Sequence, residues 1–322
     1  MKNPAVSIII PVKPGGAVRA LDRLRNVEYP ENLFEVLVAE GTSPSRQRNR
    51  AADEALGEIL YFLDDDSLVS PDFLQQLVHL YADDRVAVAG GPSLTPENDP
   101  PLCQAFGLAL ASPFGAGSVR NRYRRHGVCR ETGDNELILC NLSFSAAAFT
   151  AAGGFDERLY PNEENELLVR LRRSGWKLLH DPELAVFRSQ RPTFRAFVRQ
   201  LFGYGRGRGQ QILLGGGSGI ASFVPVFFLL YLLILPFLSH PVYYLPLLCY
   251  LVMVIYGAFH AAIASGKTVP AMFLPLLFPA LHLSYGAGLL YGLVVYGAGK
   301  KMRPAGAVTV KRIKSFDSGR YW

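Results

Sequence analysis

The sequence predicts an α/β fold: a mainly parallel sheet with helices on both faces, followed by an all-α membrane-embedded region. Two observations lead to this prediction. In the first 211 residues, short apolar runs alternate with helical stretches, a pattern typical of a parallel sheet covered by helices. Residues 212–298 carry one charged side chain, Lys267, although 19% of the whole chain is charged. The change in composition near residue 211 therefore divides the chain into two kinds of structure.

Four apolar runs in the first region predict buried strands. They are Ala5–Val12, Phe34–Glu40, Ile59–Leu63 and Val86–Gly91. The predicted helices between them are Val18–Asn26, Ser45–Ala55, and a third helix that has Ser70 as N-cap and Pro71 in its first turn. In such sheets ligands bind beyond the carboxyl ends of the strands, so the residues at those ends are the candidates for a site.

Three aspartates, Asp64, Asp65 and Asp66, follow the third strand directly. Adjacent carboxylates repel one another unless a cation or hydrogen-bond donors compensate. Alternate residues at a strand end point the same way, so Asp64 and Asp66 can face one site. Hard oxygen ligands suit Mg²⁺ or Mn²⁺ held together with a substrate phosphate. The alternative is a solvated turn that starts the next helix.

A second acidic cluster lies in "YPNEENELLVRLRRSGW", residues 160–176. Glu163, Glu164 and Glu166 stand at the start of a helical pattern, with Asn162 as a candidate N-cap. Acids in a first turn interact favourably with the helix dipole, which explains part of the cluster. A catalytic carboxylate remains the second explanation.

Three apolar segments are long enough to be candidate membrane-spanning helices, each of which needs roughly 20 residues. They are Ile220–Leu238, Val242–Ala264 and Val269–Ala298. The basic stretches on either side, Arg188–Gln211 and Gly299–Trp322, both belong on the cytoplasmic side by the positive-inside rule. This requires an even number of crossings, so we favour two full spans and a partly inserted, proline-containing third segment. Three spans with an external basic tail is the alternative.

No signal peptide is expected at the start, and the four cysteines show no spacing typical of zinc sites or disulfide frameworks. We therefore expect the first region to stay in the cytoplasm.

Several motifs, in this order, resemble the inverting family 2 glycosyltransferases of the GT-A fold. They are "SIIIPV", "FEVLVAE", "RQRNRAADEALGEILYFLDDDSLVSPDFL" and "NLSFSAAAFTAAGGFDERLYPNEENELLVRLRRSGW". The resemblance runs over about residues 5–210, judged by motif order and spacing. No single motif is specific, but their order is. The continuation and the apolar third resemble the membrane-anchored branch of that family.

The resemblance implies a role for individual residues on the donor side. Pro11 and Val12 would form the floor of a nucleotide pocket, and Glu40 stands where the family has a base-binding aspartate. Arg48 and Asn49 match a polar pair beneath the nucleotide. Asp64 and Asp66 match the DxD motif that holds Mg²⁺ or Mn²⁺ on the donor diphosphate, with Asp65 as a further substrate-binding residue.

The resemblance also implies an acceptor side. Asn141 matches an asparagine of the acceptor-side loop, and Glu164 stands at the position of the catalytic aspartate. Glu163 and Glu166 flank it as substrate-binding candidates, and a carboxylate crowded by two others should have a raised pKa, which suits a base.

The basic, aromatic stretch from Arg188 to Gln211 is interpreted as an interfacial helix on anionic lipid. Arg191, Arg199 and Gln200 are its candidate contacts to a lipid diphosphate. Nucleic acid is the competing partner for a basic patch, and the neighbouring membrane segments disfavour it. The stretch lacks the tryptophan of the family's QxxRW motif, which disfavours chain polymerisation.

Together these observations predict four segments: a glycosyltransferase domain (1–187), interfacial helices (188–218), membrane helices (219–298) and a basic tail (299–322). The expected activity is non-processive transfer from a nucleotide sugar, most simply a UDP-sugar, to a lipid-linked saccharide at the cytoplasmic face of a bacterial-type inner membrane. Two alternatives are a polyprenyl-phosphate monosaccharide synthase and an inactive scaffold or sugar-binding subunit.

Overall fold

The computed structural model describes residues 3–216, 219–299 and 306–317, and within them the chain forms ten strands. They are β1 (Val6–Val12), β2 (Phe34–Glu40), β3 (Ile59–Leu63), β4 (Val86–Gly90), β5 (Ser93–Leu94), β6 (Arg130–Glu131), β7 (Asn141–Ser145), β8 (Lys177–His180), β9 (Val186–Phe187) and β10 (Thr309–Lys314). The four strands predicted from apolar runs are β1 to β4, each within one residue of its predicted bounds.

Twelve α-helices accompany these strands in the described residues. They are α1 (Ala20–Leu24), α2 (Pro44–Glu54), α3 (Phe73–His79), α4 (Pro101–Ala111), α5 (Pro113–Ala116), α6 (Ala146–Ala151), α7 (Glu163–Arg173), α8 (Phe194–Leu213), α9 (Val224–Ile234), α10 (Leu245–Ser265), α11 (Thr268–Ala271) and α12 (Leu274–Gly297). The N-cap predicted at Ser70 is wrong, because Asp72 holds that position. The Ser70 hydroxyl instead bonds to the Asp72 side chain and lowers the pKa of that carboxyl.

Eight strands form one sheet in the order β10-β2-β1-β3-β7-β4-β8-β6. β1 pairs in parallel with both β2 and β3, and β4 pairs in parallel with β8. β7 is antiparallel to both β3 and β4, and β6 and β10 are antiparallel edge strands. The sheet is therefore mixed: the predicted strands run in one direction, and β6, β7 and β10, which the sequence did not predict, run in the other.

Helices cover both faces of this sheet, as predicted. Successive residues of a strand point to opposite faces, so Ile8 and Ile10 of β1 belong to one core and Ile9 to the other. The first core includes α1 and α3; the second includes α2, α6 and α7. In the second core the rings of Phe62, Phe144, Phe149 and Phe155 have centroids 5.1–5.8 Å apart, which fixes the loop that leads to α7.

The described part of the predicted basic tail is an edge strand rather than a tail. β10 pairs with β2 from Thr309↔Glu40 to Lys314↔Val36. Its Arg312 forms an ion pair with the fully buried Glu35, and its Lys314 is buried over the Phe34 ring. The sequence pattern did not reveal this strand, because its basic side chains suggested a solvated segment.

The chain divides into two compact units whose boundaries differ from the predicted ones. The α/β unit comprises residues 1–94, 124–188 and 302–322, as far as these are described, and the helical unit comprises 95–123 and 189–301. Both units are discontinuous because residues 95–123 pack with the later helices and β10 returns to the first sheet. A division based on composition follows chain order and cannot detect such exchanges.

Within the helical unit, three stretches in the described residues are long and apolar enough to cross a membrane. They are Ile220–Phe237, Pro241–Ser265 and Leu274–Gly297, with mean hydropathies of 2.5, 2.1 and 1.4. The first two agree with the predicted segments to within about one residue, whereas the third begins five residues after the predicted Val269, because Thr268–Ala271 form a separate short helix. A fourth candidate was not predicted: Pro101–Ala111 and Pro113–Tyr123 qualify together but are bent by 63°.

Glycines let α8 and α12 pack with their backbones in contact. A Cβ atom on Gly205 would lie 2.1 Å from the Tyr285 carbonyl oxygen, and one on Gly288 would lie 2.1 Å from the Phe202 carbonyl oxygen. One turn later, a Cβ atom on Gly292 would lie 2.4 Å from the Arg206 carbonyl oxygen. Residue numbers rise together on both helices, so α8 and α12 run parallel along this seam.

Candidate active site

The carboxyl ends of β1 and β2 are held together by a buried glutamine of α2. The side-chain amide of Gln47 donates to the carbonyl oxygens of Val12 (2.8 Å) and Ala39 (2.6 Å). Pro11 and Val12 therefore form a rigid rim at this edge of the sheet. Gln47 was not predicted, because a polar residue in a polar helical stretch gives no sign of burial.

Glu40, the predicted base-binding residue, lies at the end of β2 beside the first loop. Its Oε1 accepts a hydrogen bond from the Gly15 backbone N–H (3.1 Å), and its Oε2 lies 3.4 Å from Lys311 Nζ of β10. The carboxylate thus orders the loop "PVKPGG" and has a cationic neighbour from the far end of the chain.

Arg48 connects the two acidic clusters that the sequence indicated. Its guanidinium donates from Nη1 to Glu163 Oε1 and from Nη2 to Asp64 Oδ1, both at 3.0 Å. Only 6% of the Arg48 side chain is exposed, so both ion pairs are largely shielded from water. Because one rigid guanidinium joins them, the start of α7 and the end of β3 are fixed relative to one another.

A second arginine, Arg188, lies against the aspartates from the other side. Its Nη1 is 3.1 Å from Asp64 Oδ2, and its Nε is 2.6 Å from Asp66 Oδ1. The sequence interpretation had placed Arg188 in the interfacial stretch, and this placement is wrong, because the residue belongs to the α/β unit. The result is a row of alternating charges: Glu163, Arg48, Asp64, Arg188, Asp66.

Backbone hydrogen bonds hold Arg188 in this position. Leu68 and Phe187 exchange two backbone hydrogen bonds of 2.8 Å, which join the turn after the aspartates to β9. The Arg188 N–H donates to the Leu94 carbonyl oxygen, also at 2.8 Å. Arg188 is therefore brought to the aspartates by backbone pairing with segments more than ninety residues earlier in the sequence.

The two outer aspartates fit a divalent cation. Oxygens of Asp64 and Asp66 converge on one guanidinium, so both carboxylates can reach a common positive centre. Hard carboxylate oxygens are the ligands that Mg²⁺ and Mn²⁺ prefer. Among the described residues, no group of three or more His, Cys, Asp or Glu side chains is arranged to hold a metal ion by itself. The described residues would thus supply two carboxylates to such a cation.

Asp65 lies between these two residues, and its surroundings disfavour the ionised carboxylate. Burial raises the pKa of the Asp65 carboxyl, and the neighbouring Asp66 and Asp64 raise it further, while Arg188 lowers it.

Glu163 is the most deeply buried acid of the α7 cluster, with 1% exposure. Burial raises the pKa of its carboxyl to about 7, against the opposing effect of Arg48 and with a further increase from Glu164. Its Oε2 is buried and makes no hydrogen bond within the described residues. The raised pKa was predicted for Glu164, as the carboxylate between two others, whereas the structure raises the pKa of its deeper neighbour Glu163.

Glu164, the predicted base, is also buried in the first turn of α7, with 8% exposure. Its Oε1 accepts a hydrogen bond from the side-chain amide of Asn165 at 3.0 Å, and the same amide donates to Asn162 Oδ1 at 3.2 Å. Asn162 occupies the N-cap position, but its side chain does not cap the helix, and its φ of 88° lies in the left-handed region. Asparagine tolerates that conformation better than most residues, which explains its use here.

Asn49 and Glu166 anchor the loop before α7 rather than facing the aspartates. Asn49 bonds to both the N–H (2.9 Å) and the carbonyl oxygen (2.8 Å) of Phe155. Glu166 forms a two-pronged ion pair with Arg170, whose guanidinium also donates to the Ala152 and Gly154 carbonyl oxygens. Both residues therefore position Glu163 and Glu164 through the backbone.

Asn141 is not brought to an accessible acceptor side. It is fully buried, and its amide donates to the carbonyl oxygens of Pro92 (3.2 Å) and Leu184 (2.6 Å). Its Oδ1 accepts from the Tyr61 hydroxyl. The structure gives this residue a supporting role between strands, which corrects the predicted position.

The remaining predicted residues, Arg191, Arg199 and Gln200, belong to the helical unit. Arg191 Nε donates to Gln200 Oε1 (3.0 Å), and Gln200 donates to the Tyr204 hydroxyl (2.6 Å). Arg199 is exposed. The three residues thus present a polar surface at the start of α8.

Comparisons with known proteins add a family assignment. Residues 59–263, more than half of the chain, match the model described as "Glycosyl transferase family group 2". Over 110 residues the chain is 31% identical to the succinoglycan biosynthesis protein ExoA of Rhizobium meliloti (strain 1021). The matched residues make up 34% of this chain and 32% of ExoA. The match therefore spans about a third of that relative.

Among solved structures, the mannosyltransferase PcManGT from Pyrobaculum calidifontis, in complex with GDP-Man and Mn²⁺, is similar with a TM-score of 0.55 and 17% identity. The similarity covers 91% of this chain and 88% of that one. S. aureus TarS 1-349 in complex with UDP gives a TM-score of 0.44 and 14% identity over 98% of each chain, too weak to support an argument. The first similarity shows the fold, which is GT-A.

Proposed function

Because the chain belongs to glycosyl transferase family group 2 and has the GT-A fold, we propose that it transfers a sugar from a nucleoside-diphosphate sugar to an acceptor hydroxyl with inversion. The observation that carries the proposal is the row of charges from Glu163 through Arg48 to Asp64. It connects a carboxylate cluster suited to proton removal with a carboxylate pair suited to a cation.

The donor would bind at the carboxyl ends of β1 to β3. Pro11 and Val12 form the rim of this edge, and Glu40 offers an acceptor for the base, with a UDP-sugar as the first donor to test. Asp64 and Asp66 would hold Mg²⁺ or Mn²⁺, which when bound stabilises the negative charge that develops on the leaving diphosphate.

Glu164 is the proposed base. An inverting displacement needs a group on the opposite face of the sugar from the diphosphate to take the acceptor proton, and positioned proton removal contributes typically about 10²–10⁴-fold. Both carboxylates are buried, but Glu163 is paired with Arg48, whereas Glu164 is less deeply buried, at 8% against 1%, and accepts a hydrogen bond from Asn165. This difference supports Glu164 for contact with the acceptor and Glu163 for positioning.

The test is a donor screen with the purified full chain, lipid-linked saccharide acceptors and Mg²⁺ or Mn²⁺. Glu164→Gln should lower kcat by at least about a hundredfold with little change in the affinity for the donor. Asp66→Ala and EDTA should each abolish transfer. Arg85→Gln, which removes an exposed arginine paired with Asp83, serves as the control and should leave the rate unchanged.

The same screen separates the rival functions. Transfer to a polyprenyl monophosphate that survives Glu164→Gln would favour a synthase whose acceptor is already ionised. Absence of transfer and of donor hydrolysis with every donor, in a protein that is folded, would favour a scaffold or binding subunit and overturn the proposal.

The proposed acceptor is a polyprenyl-diphosphate-linked saccharide used in polysaccharide or glycan synthesis. The partial similarity to ExoA and the apolar helices of the helical unit support this choice. The exposed arginines at the start of α8 suit anionic lipid or a lipid diphosphate, and no role for nucleic acid is proposed.

We further propose that α9 and α10 cross a bacterial inner membrane, with the α/β unit on the cytoplasmic side. β10 and β2 belong to one sheet, so the chain must return to its starting side before residue 309. An even number of crossings must then lie between residues 188 and 309, although three candidate helices occur there among the described residues. This parity disfavours the alternative with an external tail.

The packing of α12 supports it as the helix that does not cross fully. It has the lowest mean hydropathy of the three, 1.4, and contains Pro279. It also runs parallel to α8 with backbones in contact, and α8 carries four arginines, which disfavour a position in the hydrocarbon core. We therefore assign α12 to the interface together with α8.

Cysteine labelling tests this arrangement. In a Cys249→Ala background, a membrane-impermeant maleimide should label Ser239→Cys in intact cells and Lys267→Cys only after lysis. The exposed native Cys129 of the α/β unit is the internal control and should also require lysis. The reverse pattern, with residue 267 labelled from outside, would instead make α10 and α12 the crossing helices.

A further inference from the structure

The Arg188 guanidinium occupies the space toward which the oxygens of Asp64 and Asp66 converge. It contacts Asp64 Oδ2 at 3.1 Å and Asp66 Oδ1 at 2.6 Å, while the other oxygen of Asp64 is held by Arg48 at 3.0 Å. Each of the two aspartates thus has an arginine partner from the chain itself. These ion pairs compensate the repulsion between the neighbouring carboxylates.

The geometry allows the Arg188 side chain to move while its backbone stays fixed. The Phe187–Leu68 pairing and the Arg188–Leu94 hydrogen bond, all at 2.8 Å, hold the backbone on both sides. The side chain is 21% exposed, so water and a ligand can reach it. Arg48, by contrast, is 6% exposed and tied to two separate elements.

We propose that Arg188 competes with the divalent cation for Asp64 and Asp66, and that the donor diphosphate draws its guanidinium away. A guanidinium and a metal ion compete for the same pair of oxygens, because two cations held so close together repel one another. The diphosphate of a bound donor would offer the guanidinium an equivalent two-pronged anionic partner. This inference rests on the metal site of the proposed function.

Two consequences follow for binding. The cation alone binds weakly, since it must displace Arg188 from two ion pairs. Donor and cation bind cooperatively, since each releases Arg188 for the benefit of the other, and the coupling must be equal in both directions. Arg188 acts as a positioning residue that prevents the site from loading with metal in the absence of a donor.

The experiment measures Mn²⁺ binding to the purified full chain by electron paramagnetic resonance, with and without UDP. In Arg188→Gln the Kd for Mn²⁺ without UDP should fall about tenfold or more, within the range typical of coupled sites, and the tightening caused by UDP should shrink by a similar factor. Asp66→Asn in the same background should remove the binding, which identifies the site.

Arg85→Gln is the matched control. It makes the same chemical change at an arginine whose partner, Asp83, keeps a second cation in Lys177, as Asp64 keeps Arg48. Its Mn²⁺ affinity should equal that of the wild type.

Thermal unfolding provides an independent measurement: Mn²⁺ should raise the Tm of Arg188→Gln more than that of the wild type. If Arg188→Gln does not fold, Arg188→Lys is the second variant. Lysine cannot form the same ion pairs with both carboxylates, so this variant should show an intermediate gain in Mn²⁺ affinity.

Equal or weaker Mn²⁺ binding by Arg188→Gln overturns the inference and leaves the metal site standing. Absence of Mn²⁺ binding in every variant, with and without UDP, overturns both the inference and the metal assignment. The two failures are therefore distinguishable in one set of measurements.

Discussion

Replacing Glu163 with glutamine should remove a pH-dependent loss of stability from the α/β unit. The pKa of this carboxyl is raised from its ordinary value of 4.5 to about 7, chiefly by burial. The native state therefore binds more protons than the unfolded state between pH 4.5 and about 7, so stability falls as the pH rises through this window. Above pH 7 the loss is complete, and below pH 4.5 it is absent.

The structure gives the size of the effect. The interval from 4.5 to about 7, at about 1.4 kcal/mol for each pH unit, corresponds to roughly 3 kcal/mol. For a domain of about 150–250 residues this is a change of about 6–12 °C in Tm. Glutamine keeps an oxygen acceptor for Arg48 Nη1 and removes only the ionisation, so other titrating groups contribute equally to both proteins.

Trp176, which follows α7 and packs against the second core, reports on unfolding of the α/β unit by its fluorescence after Trp322→Phe. Melting curves of the detergent-solubilised protein from pH 4.5 to 8 should show a Tm that declines more steeply in the wild type than in Glu163→Gln. Profiles that stay parallel within about 2 °C would mean that Glu163 is ionised throughout, and the reasoning from its burial would be refuted.

Three further changes test the supporting structure. Arg48→Met removes the shared partner of Glu163 and Asp64 and should lower the free energy of unfolding by about 1–3 kcal/mol in a denaturant titration, because Glu163 then takes up a proton instead of remaining an unpaired buried charge; an unchanged free energy of unfolding would contradict the bridge. Asn49→Ala removes two hydrogen bonds to the backbone of the loop before α7 and should cost about 1–3 kcal/mol, with faster hydrogen exchange in that loop; unchanged exchange would argue against the anchor. Arg312→Met leaves the buried Glu35 without its cation, at a cost of about 3–5 kcal/mol, and Glu35→Gln in the same protein should restore part of the loss.

The parts of the fold that the sequence revealed are those in which burial is uniform. β1 to β4 are continuous apolar runs because both faces of the sheet are covered, and such runs can be recognised without tertiary information. β7 was missed because "NLSFS" mixes polar and apolar residues, and its polar side chains are satisfied by partners that only the fold supplies: Asn141 by Tyr61 and Ser143 by the Ala89 carbonyl oxygen.

The site shows the same division. Asp64, Asp66, Glu163 and Arg48 were indicated by motif order, and the structure joins three of them directly through Arg48. Arg188 was assigned to the interfacial stretch because further arginines follow it at regular intervals in the sequence. What separates it from them is the pairing of Phe187 with Leu68, a contact across more than a hundred residues that no local pattern contains.

The return of β10 to the first sheet also has a consequence for the order of folding during synthesis. β2 is made early, but its outer edge is covered only by a strand that the ribosome makes after all the apolar helices. Until then the outer edge of β2 is unpaired, and unpaired edges of this kind can pair with other chains. Glu35 also lacks its ion-pair partner until Arg312 has been synthesised. Membrane insertion would thus precede completion of the α/β unit, and a block in insertion should leave a nascent chain prone to aggregate through this edge.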